Sequence, residues 1–469
     1  MNRQQLLSLF FVIISIILYC SSEYGINRTI IILNFVVFIS CCLLLELKNL
    51  RKLKIYSFNT IFLGSFFLTS YCFPLFIASS SLLEDYITMA PSSIRHVDFN
   101  YITIGNSLCT LAISIYTFGQ LFRRNKTNRI NRGFPLYSDI KRATRFLLCL
   151  FFIASLINMF ISISAGGIVY FDERAYLYEY YRLFLALSLV SHLFYNDEWK
   201  MSRSLFFRKY KIEILTSFIL IVVFLVYGER GEPISIFLII FSFAVIYCLR
   251  VSFVKLAIVA FIGLLLMYGI RITRKDSNSL QEGGVSSFAS ATSSSLSEDS
   301  PLFLFADLIA ASNELCYGLE LHKRDGLLHP EQIILLPFYP FPFAPTIASE
   351  VLLGVEWSEL SAVEKMNNEM KAVNYYSCFG NHIVVDIFMK WGLLGIFIAF
   401  FILGNITCYF EKNSKRDIIT ATCFILLIGN AMYLPRGTMF SIVRMLTDVY
   451  IFAILINACS RKRVVVLPK

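Results

Sequence analysis

Charge is scarce in this chain: Asp, Glu, Lys and Arg make up 16% of 469 residues, against 57% hydrophobic residues. No water-soluble domain of this size carries so much apolar surface, so lipid is the solvent over most of the length. Histidine is scarcer still, with five residues, and the twelve cysteines form no CxxC pair and no metal-ligand spacing with histidine. No metal centre is expected. Also absent are a Walker P-loop, a GxGxxG turn after a strand, an HExxH helix and the paired carboxylates of a soluble nucleotide-sugar transferase. Those absences remove the common nucleotide- and zinc-dependent classes and leave no cofactor to predict.

What is present is a succession of apolar runs, rich in the 45 Phe and 25 Tyr, joined by short charged connections. A crossing helix needs about twenty mostly apolar residues, and the runs 5–21, 29–46, 58–80, 101–122, 145–164, 179–196, 212–228, 233–250, 253–272, 382–409, 417–434 and 439–458 meet that need. The predicted fold class is an all-α polytopic integral membrane protein with about twelve transmembrane helices. The first run lacks a small-residue cleavage site at Ser21–Tyr24 and reads as a retained span. Counted this way, every basic connection falls on one side, from Lys48, Arg51 and Lys52 to the tail Arg461-Lys462-Arg463. Positive connections stay in the cytoplasm, so both termini are expected there. The net charge of +10 is thereby explained as orientation, and no nucleic-acid partner is expected.

Three regions follow: residues 1–272 with spans one to nine, a large outer loop at 273–381 between spans nine and ten, and residues 382–469 with the last three spans and the basic tail. Within the loop, Ser277–Ser300 is Ser- and Gly-rich and reads as a flexible stretch. Pro301–Leu321 is nearly apolar enough for a further span, but Asp307 and Glu314 would then face lipid. It is expected instead as an amphipathic or re-entrant helix at the outer face. Next, Pro337, Pro340, Pro342 and Pro345 alternate with Phe338, Tyr339, Phe341 and Phe343. That run reads either as an interfacial anchor or as a platform for sugar rings.

Polar groups at membrane depth need a partner or a function. The turn Gly228-Glu229-Arg230-Gly231-Glu232-Pro233 places Arg230 at the outer interface, where it either pairs with its neighbouring glutamates or grips an anion such as a lipid diphosphate. Arg174, Arg274, Arg436, His382 and Asp386 are expected at the same depth, with Asp386 and Lys390 spaced to pair along a helix. His322 and Arg324 lie in the loop.

The topology, the G-x-R-G turn at Gly228, Arg230 and Gly231, and the segment Asn381–Gly395 (NHIVVDIFMKWGLLG) resemble the bacterial O-antigen polymerases of the Wzy family. The resemblance implies a membrane glycosyltransferase in the bacterial inner membrane whose large loop is periplasmic. Its substrates would be undecaprenyl-diphosphate-linked oligosaccharide repeat units, joined into O-antigen or a related surface polysaccharide, with a chain-length regulator and a flippase as partners. That chemistry assigns Arg230, Arg274, Arg436 and Arg174 to the diphosphate or glycan, Arg324 and His322 to the glycan, and Glu229, His382 or Asp386 to the base. The related O-antigen ligases, a lipid-linked oligosaccharide flippase and a secondary transporter remain as alternatives.

Overall fold

Lipid offers backbone N–H and C=O groups no partner, and every regular element among the described residues is accordingly a helix. The computed structural model describes residues 3–51, 57–79, 97–124, 140–164, 175–196, 200–226, 231–249, 311–339, 341, 344–372 and 381–460. The chain runs through α1 (Arg3–Cys20), α2 (Arg28–Arg51), α3 (Phe58–Ser70), α4 (Cys72–Ser79) and α5 (Ile102–Arg124). It continues with α6 (Ile140–Ser164), α7 (Ala175–Asn196), α8 (Arg203–Lys209), α9 (Lys211–Val226) and α10 (Gly231–Phe243). Past residue 310 come α11 (Ala311–Asp325), α12 (Ala344–Leu353), α13 (Ala362–Ala372), α14 (Ile383–Asn413), α15 (Ile418–Asn430) and α16 (Met439–Ser460).

Seven of these helices are long and apolar enough to cross a membrane, and an eighth crossing results if α3 and α4, bent by 45°, count as one. All eight fall on expected spans. Three further expected spans, 179–196, 212–228 and 417–434, are helical as α7, α9 and α15 but do not meet the same criterion of length and composition. The twelfth, 253–272, lies outside the described residues, as do 273–310 of the loop. The protein is thus an all-helical, multi-pass membrane protein.

Two compact units divide the chain. The first comprises residues 1–132, 307–413 and 431–447. Its axis is α5, which α1, α2 and α14 surround. Small residues bring the backbones together: a Cβ on Gly404 would stand 2.2 Å from the Tyr116 carbonyl oxygen, and one on Gly119 2.5 Å from that of Phe401. Ser57 caps α3 by accepting the Thr60 N–H. The bend between α3 and α4 follows from Pro74, which has no N–H to give the Ser70 carbonyl four residues back. The Asn106 amide takes that carbonyl instead, at 3.0 Å.

The expected single span at 382–409 is broken. Gly392 adopts φ +60° and ψ −153°, a conformation open to glycine and not to other residues. A Cβ on Gly395 would meet the Ile387 carbonyl oxygen at 3.3 Å. Eight residues of continuous helix would separate these positions by about 12 Å. The chain therefore doubles back at Gly392, giving a short arm, 383–391, and a long arm, 393–413. The short arm is buried through Lys390, whereas the long arm keeps one side exposed.

The segment expected as an amphipathic or re-entrant helix is helical from Ala311, and residues 301–310 lie outside the described residues. Ala311–Leu319 is buried throughout, and Gly318 packs so closely on the short arm that a Cβ there would lie 2.2 Å from Val385. Tyr339 is buried with Leu335, Ala348, Leu360 and Phe440, and its ring stacks on Phe440 with centroids 4.6 Å apart. Phe341 is exposed, and Phe343 lies outside the described residues.

The second unit comprises 133–306, 414–430 and 448–469. Its buried helix is α7, against which α6, α10 and α15 pack. Glu213 of α9 is fully buried and satisfied: Arg145 of α6 donates to both carboxylate oxygens at 3.0 and 3.2 Å, and Ser188 of α7 donates at 2.7 Å. His192, expected as structural, sits 3.8 Å from the same carboxylate.

Candidate functional site

Three chain ends meet inside the first unit: the start of α11, the start of the short arm of α14, and the turn Leu434–Arg436 before α16. The broken passage from α3 to α4 supplies the surface they meet on. Ser312 donates to the Thr69 carbonyl at 2.7 Å, and the His382 Nε2 is 3.1 Å from the Ser70 hydroxyl. Asn381 donates to the Gly437 carbonyl at 3.2 Å, which ties the short arm to the turn. The turn carries Arg436, whose guanidinium is 3.7 Å from the Glu314 carboxylate.

Of the sequence-derived candidates, His382, Asp386, Arg436, His322 and Arg324 fall among the described residues. His382 and Asp386, expected at the outer face where the loop returns, are buried, because the short arm runs inward from Gly392. The Val384 N–H donates to His382 Nδ1 at 3.3 Å, so the neutral ring carries its proton on Nε2 and gives it to Ser70. Asp386 is paired with Lys390 at 2.7 Å, as the i,i+4 spacing predicted, and the Lys390 ammonium lies 5.1 Å over the Phe440 ring.

His322 and Arg324 sit at the far end of α11, eight and ten positions beyond Glu314, at least about 12 Å along the axis. The His322 ring packs 4.6 Å from Phe388, and burial pushes its pKa down. Arg324 is exposed and engaged by two carboxylates, Asp325 at 2.7 Å and Glu369 at 2.6 Å. Glu229, Arg230, Arg174 and Arg274 lie outside the described residues. Glu232, from the same turn as Arg230, pairs with Arg182 of α7 at 3.3 Å in the second unit, and Arg182 also donates to Asn430 at 3.0 Å.

Glu314 is the site residue that sequence reasoning passed over. Its signal was a carboxylate in an apolar run, used only to argue against a span. The structure shows that the cost is met by Arg436. In the same unit, Asn106 Oδ1, Asn313 Oδ1, Asn381 Oδ1 and Asp386 Oδ2 are buried with no hydrogen-bond partner among the described residues. Buried polar atoms are almost always paired, so acceptors in this state mark a place built for added polar groups. Among the described residues no three His, Cys, Asp or Glu side chains form a metal-ligand group.

Comparison with known proteins matches a family model. Residues 379–463 fit the family model described as O-antigen polysaccharide polymerase Wzy, so the matched segment holds His382, Asp386, Lys390 and Arg436. It includes Asn381–Gly395, on which the resemblance partly rested, and not the Gly228–Gly231 turn. No curated protein and no solved structure matches the chain.

Proposed function

We propose that this protein polymerises undecaprenyl-diphosphate-linked oligosaccharide repeat units into O-antigen or a related polysaccharide, at the periplasmic face of the bacterial inner membrane. The carrying observation is a coincidence of two findings: the segment matched to the Wzy family supplies Arg436, and Arg436 stands 3.7 Å from the buried carboxylate of Glu314.

The reaction needs neither nucleotide nor metal. A hydroxyl of the incoming unit attacks the anomeric carbon of the growing glycan. The new C–O bond forms as the bond to the lipid diphosphate breaks, and the diphosphate leaves with the electron pair. A cation must meet the developing charge, and a base must take the hydroxyl proton. Arg436 is assigned to the diphosphate, since its planar fork suits phosphate oxygens. Arg230, Arg274 and Arg174 remain sequence-based candidates for the same ligand, as do Arg324 and His322 for glycan.

For the base, His382 has both ring nitrogens engaged and Asp386 is held by Lys390. Glu229 and Glu314 are the carboxylates that remain. Glu314 is the candidate among the described residues: it is 3% exposed against 23% for its partner Arg436, which makes the guanidinium the more accessible of the two. A diphosphate drawing Arg436 away would raise the basicity of Glu314, which could then accept the hydroxyl proton.

The test is the surface polysaccharide ladder of cells lacking the protein. A core bearing a single repeat unit, restored to a ladder by the wild type and not by Arg436→Ala, is the expected result. Bare core with polymer retained on the lipid carrier would identify a ligase instead. Single units trapped on the inner leaflet would identify a flippase. A chain-length regulator and a flippase are the protein partners this reading calls for.

A further inference from the structure

The reading above leaves the surface of α12 unused. Ile347 and Val351, one helical turn apart, are 61% and 75% exposed, with Leu352 beside them also exposed. Ile333 and Ile334, in the 3₁₀ turn Pro330–Phe338 that packs on α12, are open as well. The other side of the same two elements supplies Leu335 and Ala348 to the buried cluster around Tyr339. The outward set is therefore a face of an ordered element. An apolar patch of this kind on a loop marks an interaction surface.

The long arm of α14 sets the height of that face. From Leu393 to Asn413 it rises about 31 Å, the thickness of a hydrocarbon core, so its first turn sits at one boundary of the lipid. Leu394, Ile398 and Ile402, spaced by four, are its exposed stripe. The loop is fastened at this level. Trp391, just before the break, donates its indole N–H to the Pro330 carbonyl at 2.9 Å, and Leu328 donates its N–H to the Met389 carbonyl at 2.7 Å. Trp391 also packs on the cluster that holds Ala348 of α12. Through Trp391, α12 is thus tied to the start of the arm that carries this exposed stripe.

We propose that α12 and the Ile333–Ile334 turn lie in the headgroup–acyl boundary of the bilayer, as an in-plane anchor holding the loop on the membrane. Glu356 and Glu359, exposed just after α12, form its solvated edge. The surface fits lipid rather than a polar partner, since Ile347, Val351, Leu352, Ile333 and Ile334 are aliphatic and carry no donors, while Thr346 and Glu350, also exposed on α12, add to its polar margin. It stands independently of the polymerase reading.

The experiment places a photocrosslinking amino acid at Val351, and separately at Glu359, in the full chain reconstituted into phosphatidylethanolamine–phosphatidylglycerol vesicles. The expected result is an adduct of phospholipid mass at Val351, in about tenfold greater yield than at Glu359. Similar low yields at both positions would overturn the anchor, and so would a dominant Val351 crosslink to a second copy of the chain. Both side chains point outward, and an unchanged thermal midpoint in detergent for each variant secures the comparison. Ile347→Asp with Val351→Asp supplies the second measurement: the lipid adduct from a probe at Ile333 should fall severalfold while the thermal midpoint holds. An unchanged adduct would again count against the anchor.

Discussion

Each unit buries one glutamate against an arginine, and the two pairs differ in how they are held. Glu213 has both oxygens bonded by Arg145 and a third bond from Ser188. Glu314 meets Arg436 at 3.7 Å, without a close two-pronged fit, in a unit where buried asparagine oxygens find no partner among the described residues. A fully satisfied buried ion pair rigidifies a fold, whereas a loosely held one has capacity left for a ligand. The first kind should therefore fail as structure and the second as function.

The strongest way to break that contrast is to remove each arginine. Arg145→Ala strands a charged Glu213 in the interior, where losing one partner of a buried pair costs about 3–5 kcal/mol. The thermal midpoint and the membrane abundance should drop together. Arg436→Ala should instead lower abundance less than Arg145→Ala, because the partners stand 3.7 Å apart and Arg436 is itself partly exposed, and should cut polymer synthesis by the remaining protein about 10²–10³-fold, the usual effect of deleting a group that stabilises transition-state charge. In vitro chain extension from purified lipid-linked units reads the second effect. If Arg436→Ala unfolds the protein as Arg145→Ala does, the two clusters are alike and the contrast is lost.

Glu314→Gln comes next. It keeps the shape and removes the proton acceptor, so extension should fall about 10²-fold. Glu314→Asp should recover part of the rate. A Glu314→Gln enzyme as active as wild type would move the base elsewhere, with Glu229 as the next carboxylate to change.

How much of this was legible beforehand depends on the range of each interaction. Helices at 5–21, 29–46 and 101–122 were readable because twenty apolar residues have one way to satisfy their backbone in lipid. The Asp386–Lys390 pair was readable because i,i+4 neighbours share a helix face. The Gly392 reversal was not, since a glycine in an apolar run is common in membrane helices and only tertiary packing decides its φ. Its consequence, that His382 is buried against Ser70, depends on residues 312 positions apart. The partner of Glu314 was hidden for the same reason: Arg436 is distant in sequence, so the carboxylate argued against a span without showing what it pairs with. The site arginines at 174, 230 and 274 stay where the sequence left them, outside the described residues.

The smallest effect lies at the other end of α11, where charges face water. The hydrogen bond from Arg324, and then that from Lys365, hold the Asp325 carboxyl well below the usual carboxylate range. A carboxyl lowered on folding adds stability that is complete above its unfolded value of about 3.9 and is lost as pH falls toward the folded one. From pH 8 down to pH 5 the contribution is therefore constant, and exposure keeps it under about 1 kcal/mol. Asp325→Asn should lower the thermal midpoint slightly and equally at pH 8 and pH 5, with the difference from wild type closing only below about pH 4. A variant that instead abolished polymer synthesis at unchanged stability would show that Arg324, freed of one of its two carboxylates, has a part in catalysis that its exposed ion pairs conceal.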